Sequence, residues 1–110
     1  MEGIVKAFLF LGEAMALCNY AKGDLNDYHD VGIKLHVVNK VEQQITANDV
    51  EDFDNWGILV TIGIWNTAQN ASTGRSTGLQ IRTDTTGKIA LRGWWYSSGV
   101  LRFYSWHILT

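Results

Sequence analysis

Trp65, Trp94, Trp95 and Tyr96 are the residues of this chain best suited to hold a ligand. A flat aromatic ring stacks on the apolar C–H face of a sugar, and a nearby Arg, Asn or Asp then satisfies the hydroxyls. Trp106 and Tyr104 raise the local aromatic density further. In a strand through Trp94-Trp95-Tyr96, period two sends Trp95 to the face opposite Trp94 and Tyr96. Both faces cannot belong to one core. One of them therefore meets a ligand or solvent, or else one is core and the other a subunit interface. Trp56 and Trp106 are expected in the core. Arg82 and Arg92 are expected on neighbouring antiparallel strands, where they could grip an anionic glycan through bidentate hydrogen bonds. The alternative for both is a solvated face, or a pairing with Asp24 or Asp27.

Other chemistries find less support. Asp24, Asp27 and Asp30, and separately Asp49, Glu51, Asp52 and Asp54, cluster in a way that suggests calcium. Neither group has the spacing and central glycine of a calcium loop, and turn and cap roles suffice for them. His29, His36 and His107 lack paired ligand spacing. Asp27 and Asp30 offer two carboxylates for glycoside cleavage, but no supporting signature surrounds them. There is no Gly-x-Ser-x-Gly elbow, no phosphate loop and no Cys–His combination. Asn70-Ala71-Ser72 is a glycosylation sequon by letter only, and reads as loop composition. The expectation is a binding module without catalysis, metal or cofactor.

Length and composition bound the scaffold. A chain of 110 residues with 46% hydrophobic and 18% charged residues makes one folded domain. Cys18 is the only cysteine, so no intrachain disulfide forms, and a reducing compartment is expected. The net charge is −2, but residues 1–55 hold four Lys/Arg against ten Asp/Glu, whereas residues 56–110 hold five against one. That asymmetry favours docking of the halves within one fold, or head-to-tail contact between copies. Arg75, Lys88, Arg92 and Arg102 are spread along hydrophobic alternations rather than clustered, which points away from nucleic acid. Ala7–Leu17 is apolar, but Glu13 interrupts it and no small-x-small cleavage site follows. It is also too short for a bilayer span of about 20 residues, so no membrane insertion is expected.

The elements that must position the aromatics follow from periodicity. Residues 1–22 read as an apolar helix ending at Gly23, with Met1, Ile4, Phe8, Leu11, Met15 and Cys18 in the 3-4 rhythm of a coiled coil. Because that helix is apolar on nearly all sides, it must be enclosed, either by partner subunits or as a lid on the domain. Residues 24–55 are acidic and turn-rich, with one strand over Val31–Asn39 and a cap pattern at Asn48 and Glu51. Gly57–Trp65 is a β-branched run suited to a strand buried on both faces. Thr67–Gly78 reads as a loop, and Thr85-Thr86-Gly87 as a hairpin turn. Lys88–Trp94 returns, Ser97-Ser98-Gly99 turns, and Val100–Leu109 closes an antiparallel meander. The fold class is mainly β (α+β): an N-terminal helix over residues 1–22, then a small antiparallel sheet over residues 23–110.

Four stretches of this second region share a pattern: Asp24-Leu25-Asn26-Asp27-Tyr28 with Gly32, Trp56-Gly57-Ile58-Leu59-Val60, Gln80 with Gly87-Lys88-Ile89 and Arg92, and Ser105-Trp106 with Ile108-Leu109. In that order and spacing they resemble the knob domain of pyocin and bacteriophage tail fibres. Val31 stands where that family often has a proline, and Trp65 and Trp94-Trp95 have no counterpart in its pattern. The resemblance implies a module of a homotrimeric fibre at the virion tail, folded in the host cytoplasm, that helps recognise a bacterial cell-surface glycan. A structural tail component without a ligand, and a glycan-cleaving tail domain, are the competing expectations.

Overall fold

The computed structural model describes residues 19–65 and 75–109. It is built from β1 (Gly23–Asp24), a 3-10 turn (Leu25–Asp27), β2 (Gly32–Asn39), β3 (Ile45–Ala47), β4 (Trp56–Trp65), β5 (Arg75–Thr83), β6 (Ile89–Ser97), β7 (Val100–Phe103) and β8 (His107–Leu109). Strands β2-β4-β5-β6-β7 lie side by side, and β8 also pairs with β6. Every pairing in this six-stranded sheet is antiparallel. A two-stranded parallel sheet of β1 and β3 stands apart from it. The hairpin turns use the backbone freedom that the sequence supplies. Gly87 adopts φ 91° between β5 and β6, and Ser98 and Gly99 adopt φ 50° and 84° between β6 and β7.

The two faces of the sheet differ sharply. Along β5 and β6 the even-numbered positions from Ser76 to Arg82 and from Ala90 to Trp94 are buried, Gly78 excepted, while their odd-numbered neighbours remain partly exposed. Over the buried face lie the 3-10 turn, Ala21, Ile45, Val50 and Phe53. Ala21, Leu25, Val38 and Leu59 form one apolar cluster, Val50, Phe53 and Ala90 a second, and Trp106 packs against both. The indole Nε1 of Trp106 donates to the Asn48 carbonyl (3.0 Å), which ties the last connection of the sheet to the capping segment.

Much of this interior is polar. Thr61, Ser76, Gln80, Arg82, Asp84 and Arg92 are all buried. Unpaired, such groups would cost several kcal/mol each, about 1–3 for a lost neutral partner and more for a charge. Most of them are paired. The Nε2 of Gln80 donates to the carbonyls of Leu25 (2.6 Å) and Tyr28 (2.7 Å), and its Oε1 accepts from Arg92 Nε (2.9 Å). The Arg92 guanidinium lies between the rings of Phe103 (4.2 Å) and Trp106 (4.6 Å). Arg82 grips both oxygens of Asp49 (3.0 and 3.3 Å) and donates to the carbonyls of Asp54 and Trp56. These side chains hold the acidic first half against the basic second half. The charge asymmetry of the sequence is thus used inside one fold.

Several expectations need correction, among them the loop over Thr67–Gly78, since residues 75–78 belong to β5. The predicted helix over residues 1–22 fails where it is described: Asn19–Ala21 is extended and hydrogen-bonds to Val37 on the edge of β2, and residues 1–18, with Ile4, Phe8, Leu11, Met15 and Cys18, lie outside the described residues. Gly23 has the positive φ of a helix cap (68°) but begins a strand. Strand β4 is buried on one face only, with Ile64 58% exposed. Trp56, at its first position, is 43% exposed rather than in the core, and its carbonyl accepts from the buried Arg82. Val100–Leu109 is two strands rather than one, because Trp106 turns inward between them.

Candidate functional site

Trp65, Ser76 and Tyr96 form one row across β4, β5 and β6, since Trp65 pairs with Ser76 and Ser76 with Tyr96. They lie on the sheet face that carries Gln80 and Trp94, at the end away from the β5–β6 turn. With His29, Asp30 and Val31 from the connection before β2 they line a cleft of about 400 Å³. The floor is set by Trp94. Its ring lies over Gly63 and Gly78, where a Cβ would come within 2.7 and 2.5 Å of the indole, so only glycine admits the ring there. His29 stands edge-on to Trp94, with ring centroids 6.0 Å apart. The Trp94 N–H is buried and has no partner among the described residues.

The structure separates the residues singled out from sequence. Trp65 and Tyr96 share the cleft, half-buried. Trp95 is on the opposite face, as period two requires. Trp94 is 1% exposed and supports the cleft from below rather than meeting a ligand. Arg82 and Arg92 lie on neighbouring strands as expected but are 0% and 4% exposed. They cannot grip a glycan at the surface, because the 3-10 turn and the Asp49–Phe53 segment close over them. Arg82 pairs with Asp49 rather than with Asp24 or Asp27. Burial draws the Arg92 guanidinium down to about 10, against the opposing pull of Asp24 and Asp49. His29, Asp30, Val31 and Ser76 are the cleft residues that sequence reasoning missed. Pairing outward from the Gly87 turn would have found Ser76 opposite Tyr96.

A second recess of about 390 Å³ lies by the β2 edge, lined by Asn19, Tyr20, Lys22, Tyr28, His36 and Gln43. The Tyr28 hydroxyl accepts from the Lys22 amide (2.8 Å) and donates to its carbonyl (3.2 Å), and the Tyr28 ring meets His36 edge-on at 4.6 Å. His36 has its imidazole held below the usual histidine range, first by burial and also by Lys34, against a raising effect of Asp30. Its Nδ1 is buried without a partner among the described residues.

The first cleft combines two flat rings with a carboxylate, an imidazole and a hydroxyl. Groups of these kinds are able to stack on an apolar ring face and to hydrogen-bond hydroxyls at its rim. Among the described residues no group of three or more His, Cys, Asp or Glu is placed to hold a metal ion, and no helix is long and apolar enough to cross a membrane. Comparison of the chain with protein-family models, characterised proteins and solved structures returned no match.

Proposed function

We propose that this chain is a non-enzymatic glycan-binding module of a phage or phage-like tail fibre, acting as a homotrimer at the virion tail. The observation that carries the reading is the cleft: Trp65 and Tyr96, two rings outside the core, converge with Asp30, His29 and Ser76. The resemblance to tail-fibre knob domains supports the setting. The residues that carry it meet in one unit, with the Leu25 and Tyr28 carbonyls on Gln80, Gln80 on Arg92, and Arg92 against Trp106. Binding by a module of this kind is weak per site. Three copies on one fibre, and several fibres per particle, raise avidity by about 10²–10⁴ without new contacts.

The test is binding of the full chain to an array of bacterial surface polysaccharides, with Trp65→Ala and Tyr96→Ala as the variants. Each variant should lose binding at least tenfold and keep its melting temperature. An array without binders would favour the structural tail component. Release of reducing ends from a bound polysaccharide would favour a cleaving domain.

A further inference from the structure

Among the described residues, the sheet face opposite the capped one is apolar and uncovered. Leu35 of β2, Val60 and Ile62 of β4, Leu79 and Ile81 of β5 and Leu91 of β6 run across it, and all are partly exposed. At its margins Ile33 is 69%, Ile64 58% and Leu109 53% exposed. Tyr104 is placed over its β6 side, its ring standing 3.7 Å from where a Cβ on Gly93 would be. Charge is confined to the rim, at Arg75 and Arg102.

Its size can be judged from strand geometry. Five strands at about 4.8 Å spacing and eight residues at about 3.3 Å give a flat projection of roughly 600 Å², and more as accessible surface. A stable interface takes about 800 Å² from each partner, with an apolar centre and a polar rim. Sheets bury such a face against a second sheet about 10 Å away. The described chain offers no second sheet on this side, since the small β1–β3 pair belongs with the capping segments.

We propose that this face is the subunit interface through which copies of the chain assemble, turned toward a three-fold axis with the same face of the two other copies as its occupant and Trp95 among the buried contacts. The inference rests on the homotrimer reading above and gives it a surface. It leaves the Trp65–Tyr96 cleft, on the other face, free to bind.

The test is the mass of the full chain in solution by light scattering, with far-UV circular dichroism as the fold control. Wild type should be a trimer. Leu79→Lys and Ile62→Lys, which a lone sheet tolerates at part-exposed positions, should give monomers with an unchanged spectrum. Leu79→Ala should weaken assembly at least tenfold, and it decides the matter should the lysine variants unfold. The double variant Ile4→Lys/Leu11→Lys should leave the mass unchanged. A wild-type dimer dissolved by Leu79→Lys would uphold the interface and overturn the trimer. A trimer indifferent to Leu79→Lys and Leu79→Ala but lost in the Ile4/Leu11 variant would overturn the interface and keep the trimer. A monomeric wild type, with the face bare or covered by residues 1–18, would overturn both.

Discussion

Gln80 and Arg92 face each other across β5 and β6, and the single hydrogen bond from Arg92 Nε to Gln80 Oε1 (2.9 Å) lets the sheet hold its cap. The bond fixes the amide so that its Nε2 points at the carbonyls of Leu25 and Tyr28. Gln80→Leu strands those two acceptors and the Arg92 donor, and should cost about 3 kcal/mol in denaturant unfolding. Gln80→Glu separates two roles. A carboxylate would suit Arg92 but has no N–H for the carbonyls, so it too should destabilise, by about 2 kcal/mol. An unfolding midpoint unchanged in Gln80→Glu would refute the donor role.

Asp49 is the counterion that lets Arg82 be fully buried. Burial pushes its carboxyl up, but the hydrogen bonds from Arg82 and Lys40 together outweigh that and leave its pKa below the usual value. Removing the acid strands a buried guanidinium, so Asp49→Ala should cost about 3–5 kcal/mol. The sign with pH follows from linkage. A carboxyl with a depressed folded pKa contributes stability above its unfolded pKa of about 3.9 and loses it as pH falls through the folded value. Asp24 shifts in the same direction, chiefly through its hydrogen bond from Asn48. The urea midpoint should therefore hold near neutrality and fall steadily below about pH 4. In Asp49→Asn that slope should be shallower.

Gly78→Ala tests the floor of the cleft. The added methyl would lie within 2.6 Å of two atoms of the Trp94 ring and closer still to the Ile62 carbonyl, where backbone leaves no room to yield. Overpacking of this kind costs about 1–3 kcal/mol. The indole must shift, so near-UV circular dichroism should change along with the melting temperature. Gly87→Ala has open space around it and is strained only by its positive φ. It should cost about 1 kcal/mol and leave the aromatic spectrum alone.

The strands were legible because their signals are local. The alternation of Ile89 and Leu91 with Ala90 and Arg92, and the turns at Gly87 and Gly99, place the hairpins on either side of β6, although the sequence reads residues 75–78 of β5 as loop and β7 and β8 as one strand. The sorting of aromatics was legible in part. Period two set Trp95 against Trp94 and Tyr96, but it cannot say which face is capped. That depends on Gly63 and Gly78 meeting under one indole from two strands, a contact across the sheet that no short window contains. The arginines misled for the same reason. Arg82 looks like a surface residue until Asp49, 33 positions away, is brought beside it. His29 and Asp30 join the cleft where the Gln80 amide holds the carbonyl of Tyr28, just before them in the chain, against the sheet.

Trp65 and Trp94 separate binding from folding. Both indoles come from the same end of the same sheet face, but Trp94 is 1% exposed while Trp65 is only half-buried. Trp94→Ala should empty the floor under His29 and cost about 3–5 kcal/mol, taking the fold and any binding down together. Trp65→Ala should leave the unfolding midpoint within about 1 kcal/mol of wild type and remove stacking on a sugar ring. Trp65→Phe retains a flat ring and should keep part of that affinity. Asp30→Asn should weaken binding less than Trp65→Ala, because the amide still offers one acceptor to a hydroxyl. The decisive measurement is a titration of one polysaccharide against wild type and the four variants, with a melt of each. If Trp65→Ala bound as wild type did while Trp94→Ala stayed folded and lost binding, the ligand would lie against the indole placed here in the core, and the cleft would be misassigned.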